Sequence, residues 1–120
     1  MIAIPHQAKI LVCVPAIDFR CGINGLGRHC RNELKEDPMS GAIFVFKNRR
    51  NNALKILVYD GEAFWLLVRR LSRGTLKWWP SATASVSVSC SIQAKELQTL
   101  ILGGNPSAAE FTDDWKKILK

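Results

Sequence analysis

Between Ala42 and Trp79 four runs rich in β-branched and aromatic residues follow one another, Ala42 to Phe46, Leu54 to Tyr59, Phe64 to Leu71 and Thr75 to Trp79. Residues of those types suit a pleated, half-buried surface. The spacers, Asn48 to Asn52, Asp60-Gly61-Glu62 and Ser72-Arg73-Gly74, are turn-prone and short. Short turns join antiparallel neighbours, because a parallel pair needs a crossover of a dozen residues or more. The pattern predicts an antiparallel meander that ends at Pro80.

The flanks carry other periods. Lys9 to Val14 is an apolar run closed by Pro15 and predicts a first strand. Phe19, Ile23, Leu26, Cys30 and Leu34 recur at helical spacing, with Asp18 placed to cap the helix and Asp37-Pro38 to stop it. The opposite stripe of that helix would carry Arg20, Asn24, Arg28, Arg31 and Lys35. Gly22, Gly25 and Gly27 each lower helix propensity by up to ~1 kcal/mol relative to Ala, so close packing against another backbone is the expected reason for them.

Further on, Val86, Val88 and Cys90 alternate with serines as in a strand with one wet face. Leu97, Leu100 and Ile101 predict a short helix stopped by Gly103-Gly104. Ser107 to Glu110 has capping-box spacing ahead of Phe111, Trp115, Ile118 and Leu119, an amphipathic helix over 107–119. The expected architecture is therefore α+β: one domain over 1–120 with its core at 9–102, a mostly antiparallel sheet, a helix from the N-terminal half packed on it, and C-terminal helices.

With 48% apolar and 22% charged residues the chain has ordinary globular composition. The N-terminus lacks the pattern of a signal peptide, and no run approaches the ~20 apolar residues that span a bilayer, so a soluble cytoplasmic protein with no membrane partner is expected. Cys13, Cys21, Cys30 and Cys90 show no C-x-x-C spacing and read as reduced, packed thiols. His29-Cys30 are adjacent and His6 is distant, which predicts neither a metal site nor a Cys/His nucleophile. No catalytic residue and no cofactor are expected.

Seventeen Lys/Arg against ten Asp/Glu give a formal charge of +7. Such an excess draws a protein toward polyanions, nucleic acid first. The candidate contacts are Arg20, Arg28 and Arg31 on the helix, Lys47, Arg49, Arg50 and Lys55 around one hairpin loop, and Arg69, Arg70, Arg73 and Lys77 around another. The second group stands among Trp65, Trp78 and Trp79, although strand alternation predicts that some of these rings are core. Two-metal nuclease chemistry would need converging carboxylates. Asp60, Glu62, Asp113 and Asp114 are scattered and sit where turns and helix starts favour acids.

The order of several blocks is more specific than any one of them. Ile17-Asp18-Phe19-Arg20-Cys21-Gly22-Ile23-Asn24-Gly25-Leu26 is followed by Asp37-Pro38-Met39-Ser40-Gly41 and Phe44-Val45-Phe46-Lys47-Asn48-Arg49-Arg50. Lys55-Ile56-Leu57, Tyr59-Asp60-Gly61, Arg69-Arg70-Leu71 with Gly74, and Trp79-Pro80 come next. Together they resemble, over roughly residues 9 to 102, the small accessory protein encoded by the second open reading frame of insertion sequence 66 elements.

Cys21, where that pattern has a lysine, Ile17, where it has a threonine, and Gly103-Gly104-Asn105-Pro106 depart from it. The resemblance implies a bacterial mobile-element protein that assists a separate acidic-triad transposase, with no catalytic residues to carry over. Its expected partners are element-end DNA, the transposase, or both, with self-association of two copies left open. The competing readings are an adaptor that meets only an acidic transposase surface, and a nuclease subunit built on Asp60 and Glu62.

Overall fold

The computed structural model describes residues 9–81 and 88–102. The elements, in chain order, are β1 (Ile10–Cys13), α1 (Ile23–Asn32), β2 (Ile43–Lys47), β3 (Ala53–Tyr59), β4 (Phe64–Arg70), β5 (Ser89–Ile92) and α2 (Ala94–Ile101). The strands form a five-stranded sheet in the order β4-β3-β2-β1-β5.

Three of the four strand pairings are antiparallel, and the fourth, β1 with β2, is parallel. The parallel pair follows from the helix between its strands, since α1 supplies the crossover that a hairpin cannot. The meander therefore has three strands, β2, β3 and β4. Thr75 to Trp79, expected as a fourth, has no strand conformation. Leu76, Trp78 and Trp79 instead lie against the sheet and help to close its core.

Alternation along each strand divides the sheet into two dry faces. Ile10, Val12, Ile43, Val45, Leu54 and Ile56 point to one, beneath Leu76, Leu97 and Leu100. Leu11, Cys13, Phe44, Phe46 and Leu57 point to the other, beneath Leu26, Cys30 and Leu34. Covering both faces explains why β1 and β2 read as continuous apolar runs. Phe44 and Phe46 are fully buried, each worth about 1.5–3 kcal/mol in apolar transfer.

α1 is shorter than its apolar period predicts. It begins at Ile23, after the extended N-cap Gly22, and no side chain caps it. Asp18 is not its cap: Oδ1 accepts from the Arg20 amide at 2.9 Å and holds a turn ahead of the helix. At the other end Lys35 takes φ +57°, and the Glu36 amide donates to the Cys30 carbonyl at 2.9 Å, so the helix stops before Asp37-Pro38 acts on it. Arg20 and Lys35 consequently lie outside the helix, and its polar stripe reduces to Asn24, Arg28 and Arg31.

Of Gly22, Gly25 and Gly27 only Gly25 is in a close approach, and the neighbour is a side chain rather than a second backbone. A Cβ there would lie 2.6 Å from Cys21 Cβ.

Val88, expected within the alternating strand, is a bend immediately before β5. Within it Cys90 faces Val12, while Ser89 and Ser91 face Cys13 and Leu11. α2 carries a capping box the sequence reading did not identify, with Glu96 Oε1 accepting from the Gln93 amide at 2.9 Å. The start of the expected serine strand through Ser87, the Gly103-Gly104 stop and the 107–119 helix fall outside the described residues. Among those described, no helix is long and apolar enough to cross a membrane.

Candidate functional site

The segment between β1 and α1 is tied to the β2–β3 hairpin at two points. The Ile17 amide donates to the Lys47 carbonyl at 3.0 Å and forms an isolated parallel bridge with Asn48. Lys55, buried on the α1 side of β3, then donates from Nζ to the Phe19 and Cys21 carbonyls at 2.8 Å each. Its ammonium also stands 5.0 Å from the centre of the Phe19 ring. Lys55 was among the candidate anion contacts; its charge is spent on satisfying backbone oxygens beneath the surface.

The hairpin loop is equally built. Asn48 is buried, its Oδ1 accepting from the Asn52 and Ala53 amides at 3.0 and 3.1 Å and its Nδ2 donating to Asn52 Oδ1 at 2.6 Å. Asn51 takes φ +60°, a conformation in which asparagine is several-fold enriched. This frame leaves Arg49 and Arg50 at an exposed tip, beside the segment that carries Asp18 and Arg20.

Three open grooves follow one another along this side of the molecule. The first, about 400 Å³, is lined by Asp18, Arg20, Asn48, Arg49, Arg50 and Arg70 among others. The second, about 440 Å³, shares Arg49 and Asp18 with the first and adds Arg28 and His29. The third, about 340 Å³, shares Arg28 with the second and adds Arg31 and Phe64. Arg28 and Arg49 thus join the helix arginines to the hairpin arginines in one surface: Arg31, Arg28, Arg49, then Arg20, Arg50 and Arg70.

Asp18 is the acid of this surface. Arg20 Nε and Nη2 donate to its Oδ2 at 2.9 and 2.7 Å. Those bonds, the Arg20 amide and the nearby Arg49 charge lower its pKa from 3.8 to about 2. The Arg20 side chain remains 91% exposed, so its guanidinium is oriented by the carboxylate without being buried.

The remaining candidates go elsewhere. Lys47 and Arg69 belong to the opposite face of the sheet, where Lys47 Nζ donates to Asn51 Oδ1 at 3.2 Å and stands 5.5 Å from the Trp79 ring centre. Arg69 pairs in register with Leu54, and its Nη1 is buried with no hydrogen-bond partner among the described residues. Arg73 and Lys77 are exposed in the irregular segment after β4, and neither lines the grooves.

Of the tryptophans, Trp78 and Trp79 are half-buried against the core, and Trp79 Nε1 donates to the Val14 carbonyl at 2.9 Å. Trp65 is 49% exposed and donates from Nε1 to Asp60 Oδ2 at 2.8 Å.

Asp60 is occupied by its turn. Its Oδ1 accepts from the Glu62 and Ala63 amides at 2.9 Å, Gly61 takes φ +100°, and these contacts lower the carboxyl pKa. Among the described residues no group of three or more His, Cys, Asp or Glu could hold a metal.

A contact that sequence spacing did not reveal lies below the grooves: Cys13 Sγ is 3.4 Å from His29 Nε2. Burial raises the Cys13 thiol to about 11 and the Cys30 thiol to about 12, which disfavours the thiolate form.

A family model described as IS66 Orf2 like protein matches residues 8–110. Two curated proteins of Sinorhizobium fredii are similar to the chain. The uncharacterized protein y4hO is 29% identical over 84 residues, 70% of this chain and 73% of its own length. The uncharacterized protein y4jC is 30% identical over 103 residues, 86% of this chain and 85% of its own. No solved structure shows significant similarity.

Proposed function

The chain belongs to the IS66 Orf2-like family, whose members are accessory proteins of insertion sequences, and from that premise we propose that it is a non-catalytic subunit that grips the phosphate backbone of element DNA along its arginine surface. The supporting observation is the sharing of Arg28 and Arg49 between adjoining grooves, which makes the helix and hairpin arginines one surface instead of two separate patches. Guanidinium groups offer forked donors to phosphate oxygens and do not lose their charge.

Contacts to phosphate fix register and orientation without reading sequence. The role suits a subunit that holds the element's end while the transposase supplies the chemistry. Arg20, Arg28, Arg31, Arg49, Arg50 and Arg70 carry the contact; Lys47, Arg69, Arg73 and Lys77 lie off this surface.

The test is binding of the purified chain to a labelled duplex carrying an element end, against a scrambled duplex, across a salt series. Four to six phosphate contacts predict a slope of log K on log salt of about −4 to −5. Arg49→Ala and Arg28→Ala should each reduce that slope by about 1. Absence of salt-dependent binding to either duplex would overturn the reading and assign the arginines to an acidic surface of the transposase.

A further inference from the structure

β4 is one edge of the sheet, and among the described residues its outer side has no strand partner. The Asp60 amide donates to the Ala63 carbonyl and the Leu71 amide to the Asn52 carbonyl, at the two ends of the β3–β4 ladder. In an antiparallel pair alternate residues direct both polar groups to the neighbour. Trp65, Leu67 and Arg69 therefore turn their amides and carbonyls to β3, while Phe64, Leu66, Val68 and Arg70 turn theirs outward. Val68 is 55% exposed and Trp65 49%. A seven-residue edge of this kind is a template for another strand.

Its order of side chains specifies which strand. Phe-Trp-Leu-Leu-Val-Arg-Arg is self-complementary when laid antiparallel on itself about Leu67. Phe64 then opposes Arg70 of the second copy, Trp65 opposes Arg69, Leu66 opposes Val68, and Leu67 opposes its own equivalent. Aromatic rings meet guanidinium groups and aliphatic chains meet each other. In a parallel pairing Arg69 and Arg70 would approach their own equivalents, a like-charge contact that costs stability. Among the registers that oppose the outward amides, the one centred on Leu67 pairs all seven residues.

We propose that two copies of this chain associate through β4, antiparallel and centred on Leu67, so that their sheets join into one. An antiparallel two-fold runs perpendicular to the sheet and keeps like faces together. The arginine surfaces of both copies then lie on the same side, and the groove lined by Arg28, Arg31 and Phe64 gains Arg70 of the second copy as a neighbour. Weak, transient contacts bury less than roughly 1,200 Å²; a dimer held by a single strand pair is expected to behave as one of these and to depend on concentration.

This association does not rest on DNA binding, and its test contains no DNA. Sedimentation velocity of the full chain over a wide concentration range should show the mass rising from one copy toward two. Amide exchange by NMR over the same range should slow at Leu66, Val68 and Arg70, with Leu67 and Arg69 unchanged because β3 already protects them.

Val68→Pro deletes an outward amide at an edge, where proline is tolerated, and should leave the chain monomeric with an unchanged circular dichroism spectrum. Val68→Asp serves the same purpose without altering the backbone. Arg49→Ala, which weakens the proposed DNA contact, should dimerise as the native chain does. A chain monomeric at every concentration, a dimer without the alternating protection, or a dimer that persists in both Val68 variants would overturn the proposal.

Discussion

Lys55 Nζ sits 2.8 Å from the carbonyl oxygen of Phe19 and 5.0 Å from the centre of that residue's ring. One buried ammonium thereby fixes the segment that leads from β1 into α1, and with it the position of Arg20 beside Arg49 and Arg50. The cation supports the arginine surface from beneath.

Replacing Lys55 by Met keeps much of the stem's apolar volume and leaves the Phe19 and Cys21 carbonyls without their donor. Losing charge-assisted hydrogen bonds at a buried site costs about 2–4 kcal/mol, measurable by urea denaturation. The slope of DNA binding against salt should remain that of the native chain wherever the variant is folded, because the Lys55 ammonium is directed at the Phe19 and Cys21 carbonyls.

The Asp18–Arg20 pair predicts a pH dependence. The Asp18 pKa in the folded chain, about 2, lies below its ordinary 3.8. The ionised carboxylate therefore favours the folded arrangement above pH 3.8, and that contribution disappears as pH falls through about 2. A carboxyl-carbon NMR titration should place the Asp18 midpoint near the lower value and move it up in Arg20→Gln. Asp18→Asn should strengthen binding to duplex DNA by removing the acid from an otherwise arginine-lined groove.

Gly25→Ala should be destabilising even though alanine is the better helix former by up to ~1 kcal/mol. The new Cβ would meet Cys21 Cβ at 2.6 Å, and overpacking of this kind costs about 1–3 kcal/mol. Gly22→Ala meets nothing within 4 Å, so its cost should be confined to the poorer capping of alanine at the N-cap, with no steric part. Cys21→Gly in the Gly25→Ala background should restore part of the loss in thermal melts, which isolates the steric contact from propensity.

Local pattern alone determined much of this protein. The strands at Ile43–Lys47, Ala53–Tyr59 and Phe64–Arg70 and the apolar stripe of Leu26 and Cys30 were legible, because a period of two or 3.6 and a turn residue are properties of adjacent positions. The family was legible separately, in the order of the residue blocks along the chain. Tertiary structure decided the rest. β1 lies parallel to β2, Thr75 to Trp79 packs as irregular chain on the core, and Asp18 bonds Arg20 instead of capping α1.

The site shows the same division. Arg28, Arg49 and Arg70 were identifiable as cations, but their convergence depends on the Ile17–Asn48 bridge and the Lys55 anchor, contacts between residues far apart in sequence. Spacing along a chain records which face of its own element a residue occupies. Which other element faces it, and whether a lysine ends on the surface or under a backbone carbonyl, is settled only when the sheet and helix pack.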